Sequence, residues 1–398
     1  TIITGIVLYA FGTGPIRGFA TTLIIGLIAS FITAVFLTRI VAESLDKHGR
    51  LNKVTYTTAV SKNFLANPHF NILGNRKVGL LIPIVIVVLG IIGNFTVGLN
   101  RGIEFSGGRN YVVAFDQPVN IESLRSSLSQ PLDNKLVLTS IGTDGKQVRI
   151  STNYLVEKGN APEVEETLND ILYESLKGEY QQTPDKGTFL SDCIVSSQKV
   201  SASMSRDISN KAILAVVLSL IFMALYILLR FRHLNYSLGA LASVAMTTFM
   251  IISSYILLWK IMPFTMEVDQ NFIAALLAII GYSINDTVVV FDRVRETIKL
   301  YPNRDRFLVM NDALNSTLAR TFNTSLTTFL VMFVIFIFGG ASMRSFTFAI
   351  LLGVVFGTYC TLFVASPIAY MMGKRRDDKK AEGTTDGAKD KKLREAKA

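Results

Sequence analysis

The chain has 398 residues, of which 50% are hydrophobic, and carries a net charge of +10 with a pI near 9.5. A mean hydropathy of +0.40 over the whole length excludes an ordinary soluble domain and points to a membrane protein. The basic excess then reads as Lys and Arg held in loops on one side of a bilayer. No basic stripe interleaved with aromatics argues for nucleic acid. Cys193 and Cys360 are the two cysteines, and His48, His69 and His233 are scattered, so neither a disulfide framework nor a metal centre is expected.

Residues 1–12 read as the end of a membrane span, so the chain is expected to begin inside a helix and to be a piece of a longer protein. Apolar runs long enough to cross a bilayer follow near 19–39, 78–97, 211–229, 236–259, 271–291, 322–339 and 345–372. Lys and Arg concentrate in 39–77, in 230–235, in 292–320 and in the tail from Lys374. If every run crosses once, these segments share one side, which the positive-inside rule makes cytoplasmic. Glu296–Asn315 is expected to be an amphipathic cytoplasmic segment, and the Lys-rich tail to be disordered.

The opposite side receives residues 98–210. Their pattern is strand Tyr111–Phe115, helix Ile121–Ser129, strand Leu136–Ile141, strand Gln147–Thr152, helix Ala161–Leu176 and strand Phe189–Val200. Asp144-Gly145 marks a hairpin turn. The order β-α-β-β-α-β is that of a ferredoxin-like split βαβ. Gly102–Gly108 reads as a tight turn into this unit, since no P-loop spacing follows the Gly-Gly pair.

Residues 12–39 and 339–366 match without a gap: Gly12 with Gly339, Arg17 with Arg344, Phe19 with Phe346, Gly26 with Gly353 and Phe36 with Phe363. This reads as a duplicated bundle, one copy spanning roughly 78–372.

One carboxylate lies well inside a span. Asp286, in GYSINDTVVVFDR, sits about two turns before Asp292 and Arg293 at the membrane edge. Intramembrane ionisable residues are costly and mark function. Balanced between burial and a nearby cation, such a group can load and release a proton, which is the reading preferred over a structural carboxylate satisfied by hydroxyls and a neighbouring helix. Ser283, Asn285 and Thr287 are expected to support it. In the next span Arg320 is the candidate cation, or else an interface anchor, and Thr321, Thr324 and Thr328 recur as a polar stripe. Nothing resembles a nucleophile–base pair, a metal site or a nucleotide fingerprint, so an enzyme is not expected.

These segments resemble the SecDF family of protein-export membrane proteins, relatives of the resistance–nodulation–division transporters. GTGPIRGFA is similar to the last helices of SecD, and GIEFSGG to the entry of the SecF outer domain. GYSINDTVVVFDRVRE and NSTLARTFNTSLTT are similar to its signature membrane helices. The resemblance implies a polytopic α-helical bundle of that superfamily with one inserted α+β ferredoxin-like periplasmic domain. It divides the chain into 1–45 (last SecD-like helices), 46–77 (cytoplasmic linker), 78–97 (first SecF-like helix), 98–210 (periplasmic domain), 211–372 (five-helix bundle) and 373–398 (tail). It implies an inner-membrane accessory of the Sec channel and its ATPase, using a proton or sodium gradient to finish export of unfolded preproteins. Asp286 and Arg320 fall on the family's membrane carboxylate and arginine, a second membrane Asp is expected in a SecD portion before residue 1, and no bound cofactor is implied. Glu104 stands where Asp is usual and Ser106 where Thr is common, and 200–204 lacks the usual Gly-Pro. A small-molecule or lipid exporter of the same superfamily and a non-transporting scaffold of the channel are the alternatives.

Overall fold

The computed structural model describes residues 1–12, 15–49, 65, 68–141, 144–156, 161–262 and 264–374. Its helical part begins with α1 (Ile2–Phe11) and α2 (Pro15–Ile32), which passes through a π-helical turn at Thr33–Leu37 into α3 (Thr38–Lys47). Of the linker expected over 46–77, residues 46–49, 65 and 68–77 are described, and 46–47 still belong to α3. Helix α4 (Arg76–Thr96) follows, then the short α5 (Ile103–Ser106).

The sheet unit comprises β1 (Gly108–Ala114), α6 (Ile121–Ser129), β2 (Leu136–Ile141), β3 (Gln147–Thr152), α7 (Pro162–Leu176), the single turn α8 (Lys186–Thr188) and β4 (Ile194–Val200). Strand order is β2-β3-β1-β4 with every neighbouring pair antiparallel, which is the ferredoxin-like arrangement expected from the element order. Helix α7 buries Val164, Leu168, Leu172 and Leu176, one residue per turn. This stripe, with Leu124 and Leu128 of α6, packs with Tyr111, Val113, Leu138, Val148 and Ile150 of the strands. Burying one such side chain stabilises by about 1.5–3 kcal/mol. The last strand starts later than its β-like sequence suggests. Asp185 accepts hydrogen bonds from the Gly187 and Thr188 amides and nucleates a helical turn. The chain then continues as a π-helical turn over Phe189–Cys193, and Phe189 is buried beside Tyr173 and Tyr180.

Four long helices complete the chain: α9 (Ala202–Phe231), α10 (Leu234–Leu258), α11 (Gln270–Leu300) and α12 (Arg306–Phe338). A fifth, α13 (Ala341–Cys360), continues through a π-helical turn at Thr361–Ala365 to Lys374. Among the described residues seven helices are long and apolar enough to cross a membrane; the chain is a multi-pass membrane protein. Polar caps fix several ends, since Ser201, Asp269 and Asp305 accept from backbone amides of the first turns of α9, α11 and α12. The segment expected to be a loop over 292–320 is instead mostly helix. It consists of the end of α11, a turn before Asp305, and the start of α12. The tail beyond Lys374 lies outside the described residues.

Helices approach closely where side chains are small. A Cβ on Gly90 of α4 would lie 2.7 Å from the Ser253 Cα on α10, and one on Gly281 of α11 would lie 3.0 Å from the Thr1 Cα. The duplication seen in the sequence has a structural counterpart. Gly12 (φ −70°, ψ 149°) and Gly339 (φ −72°, ψ 151°) end their helices with the same backbone, and their amides donate to Leu8 and Ile335 respectively. Phe19 and Phe346, matched in the repeat, pack edge to face at 5.6 Å.

Two joints tie the outlying segments down. Away from the sheet unit, Asn311 and Asn315 of α12 clasp the chain before α4. The Asn311 carbonyl oxygen accepts from the Ile72 and Leu73 amides, and that of Asn315 accepts from the Phe70 amide. Both side-chain amides donate to the Phe70 carbonyl. On the sheet side, the Gly102 amide donates to Val268 (2.9 Å) and the Val268 amide to Asn100 (2.8 Å), while the Trp259 indole donates to Gly98 (3.1 Å). Gly107 (φ +73°) and Gly108 (φ +140°) then turn the chain into β1, and a Cβ on Gly108 would collide with the Thr152 carbonyl.

Candidate functional site: a membrane carboxylate and an acidic joint

Asp286 lies within α11, a helix whose apolar stretch is mostly buried at the centre of the bundle, and its own side chain is buried. The Ser325 hydroxyl of α12 donates to Asp286 Oδ2 over a long 3.5 Å, and is itself 2.6 Å from the Thr358 hydroxyl of α13. One helical turn apart, the Thr287 hydroxyl donates to the Ser283 carbonyl (3.0 Å) and meets Thr361 at 2.9 Å. Among the described residues the buried Ser283 hydroxyl has no hydrogen-bond partner. Hydroxyls of α12 thus serve the carboxylate, and a file of further hydroxyls links α11, α12 and α13 beside it.

Arg320 acts electrostatically on Asp286. Among the described residues the two form no direct ion pair, and Arg320 is exposed on α12. Thr324 is also exposed, though its hydroxyl faces the same carboxylate, and Thr328 is half-buried without touching it. Asn285, expected to line the site, points outward, because consecutive helical residues are rotated by about 100°. The polar stripe expected at Thr321, Thr324 and Thr328 is buried at Thr321 and Ser325 instead. Ser325, Thr358 and Thr361 escaped the sequence reading; the i, i+4 spacing from the buried Thr321 would have found Ser325. A cavity of about 250 Å³, lined by Phe70, Ile72, Thr321 and Thr358, opens between the Asn311–Asn315 clasp and this hydroxyl file.

A second cluster of carboxylates gathers at the joint beneath the sheet. Burial pushes Glu267 up to about 7, helped by the charges of Asp269 and Glu104 and opposed by Arg149. Burial likewise raises Glu104 and Asp269, and the Phe272 amide partly offsets it at Asp269. Asp269 caps α11, the helix that carries Asp286.

This arrangement has known relatives. Residues 183–375 match the C-terminal region of the protein export membrane proteins SecD and SecF, and residues 95–119 match the SecD/SecF GG motif. Protein translocase subunit SecF of Rhodothermus marinus is 31% identical over 78% of this chain and 95% of its own length. The chain belongs to the SecF family. Protein translocase subunit SecDF of Bacillus subtilis is 31% identical over 96% of this chain. The crystal structure of SecDF from Thermus thermophilus superposes with a TM-score of 0.75 at 28% identity, over 94% of this chain. The chain spans about half the length of these SecDF proteins, 50% and 47% respectively. The SecF family's GG motif maps onto Gly107 and Gly108, where the left-handed backbone and the Thr152 carbonyl leave no room for a side chain.

Proposed function

We propose that the chain is the SecF-like part of an accessory unit of the Sec translocase, in which an inward ion flux drives late steps of preprotein export. The observation that carries this reading is Asp286, a buried carboxylate inside a membrane helix, served by a hydroxyl of α12 that is itself linked to α13, with Arg320 on the same α12. A proton or sodium ion taken up there carries about 2.3 kcal/mol per 100 mV of membrane potential. Helix α11 joins that site to the outer joint. The run from Asp269 to Asp286 is about 26 Å of helix at 1.5 Å per residue, so a tilt of α11 on protonation moves the base of the sheet unit. Two states preferring different protonation of Asp286 would then alternate as the ion passes.

In this reading the protein sits in the cell inner membrane with the sheet unit in the periplasm and the tail in the cytoplasm, as the basic loops favour. A SecD portion, the Sec channel with its ATPase, and unfolded preproteins are its partners. The test is secretion of a Sec-dependent reporter by a strain in which Asp286→Asn replaces the native residue at normal abundance. Export falling to the level seen without the protein is expected; unchanged export defeats ion coupling through this residue.

A further inference from the structure

A large apolar concavity lies away from Asp286. It is a groove of about 550 Å³ on the flank of the bundle, between α9, α10 and α11. Ile213 and Val217 of α9 and Phe249 of α10 stand exposed along it, Ala245 and Leu276 line it, and Leu99 and Phe105 roof it. Its α9 wall runs from Ser209 to Leu220, about 16 Å at 1.5 Å per residue. That is roughly half of a hydrocarbon core of about 30 Å, so the groove is one leaflet deep. It starts at the outer ends of the helices, where the sheet unit joins them.

At that end sits a cation. The two-residue pairing of Arg101 with Val268 sends successive side chains to opposite sides. Arg101 and Val268 line the groove, and Arg101 also borders the neighbouring polar cavity that Glu267 lines, so its guanidinium stands at the rim between the two. Arg101 is exposed, and among the described residues it makes no ion pair. Lys211, also exposed, lines a small adjoining cavity that shares Ala212 and Ile273 with the groove. An apolar slot of one-leaflet depth with unpaired cations at its interfacial mouth has the chemistry of a lipid with a negative head.

We propose that this groove is a binding site for an anionic phospholipid of the leaflet next to the sheet unit, one acyl chain lying along α9 and α10 and the phosphate on Arg101. The roof residues Leu99 to Phe105 belong to the same segment that pairs with Val268 and leads into β1, so the bound lipid braces the base of the sheet unit. The site is independent of the ion reading and stands whether or not Asp286 carries protons.

Native mass spectrometry of the purified protein, titrated with phosphatidylglycerol or phosphatidylethanolamine, tests it. The wild type is expected to hold phosphatidylglycerol about fivefold more tightly, the gain of one basic side chain at an anionic head. In Arg101→Gln, an exposed change that leaves the core intact, that preference should fall to parity. In Ala245→Trp, which fills the slot, both lipids should lose the saturable site while the variant keeps the melting behaviour of the wild type. Equal preference in wild type and Arg101→Gln overturns the headgroup assignment. Undiminished saturable binding in Ala245→Trp, or a bilayer-embedded structure showing a protein helix in the groove, overturns the site.

Discussion

Replacing Glu267 with Gln isolates the energetics of the acidic joint. The carboxyl rises from 4.5 to about 7 because the fold buries it among like charges. Between these two values the folded protein holds a proton that the unfolded chain releases. The contribution is therefore fully present below about 4.5 and lost as pH rises through 7. At about 1.36 kcal/mol per unit the joint weakens by up to about 3 kcal/mol across that window. Glu104 and Asp269, raised by the same burial, act with the same sign. The assay is hydrogen exchange of residues 98–107 and 262–270 at pH 5 and pH 8.5, corrected for intrinsic rates. Wild type should show weaker protection of the Gly102 and Val268 amides at the higher pH, and Glu267→Gln should remove most of the difference. Equal protection of the wild type at both pH values, or an unaltered pH dependence in the variant, would show that the carboxylates are not strained by their burial.

Three other substitutions probe different layers of the fold. Gly90→Val should separate α4 from α10, because even a Cβ there meets the Ser253 backbone; the expected loss is several degrees of melting temperature in detergent and lower folded yield. Leu172→Ala should cost the sheet unit about 2–5 kcal/mol, since the residue is fully buried between α7 and the strands, and denaturant titration of the protein followed by far-ultraviolet circular dichroism reads it. The double change Asn311→Ala with Asn315→Ala removes the side chains that clasp Phe70, Ile72 and Leu73. Proteolysis near residue 70 should accelerate at least tenfold while α12 stays intact.

Much of this was legible in the sequence where local chemistry and periodicity agree. Ile121–Ser129, Leu136–Ile141 and Gln147–Thr152 were placed to the residue, because Asn120 caps the helix and Asp144-Gly145 closes the hairpin. Asp286 stood out as a charge in an apolar run. Its partners were harder to see. Asn285 is its neighbour along the chain yet lies outward, and Thr324 is exposed although its hydroxyl faces the carboxylate, because it flanks the buried face of Thr321 and Ser325 rather than lying on it. Thr358 and Thr361 could not be read at all, since a hydroxyl in an apolar helix usually bonds its own backbone. Thr358 does bond the Val354 carbonyl as well as meeting Ser325. Glu104 and Glu267 meet only through the tertiary fold, and no spacing announces them.

The two wide turns in the repeated helices bear on how the halves differ. In each copy a hydroxyl five residues on closes the turn, Thr38 onto the Thr33 carbonyl and Ser366 onto that of Thr361. The matched residues differ by 327 positions, Phe36 and Phe363 inside the turns included, whereas the turns start at Thr33 and Thr361, 328 apart. The second copy therefore enters its turn one residue later than the first, and because each copy holds a single such turn of the same length, the two come back into phase beyond it. Only the residues between the two turn starts, where one copy has widened and the other has not, are rotated relative to their counterparts. A widened turn kept at nearly the same place in both copies marks a shared joint, at which each repeated helix can bend without losing its backbone hydrogen bonds to a gap.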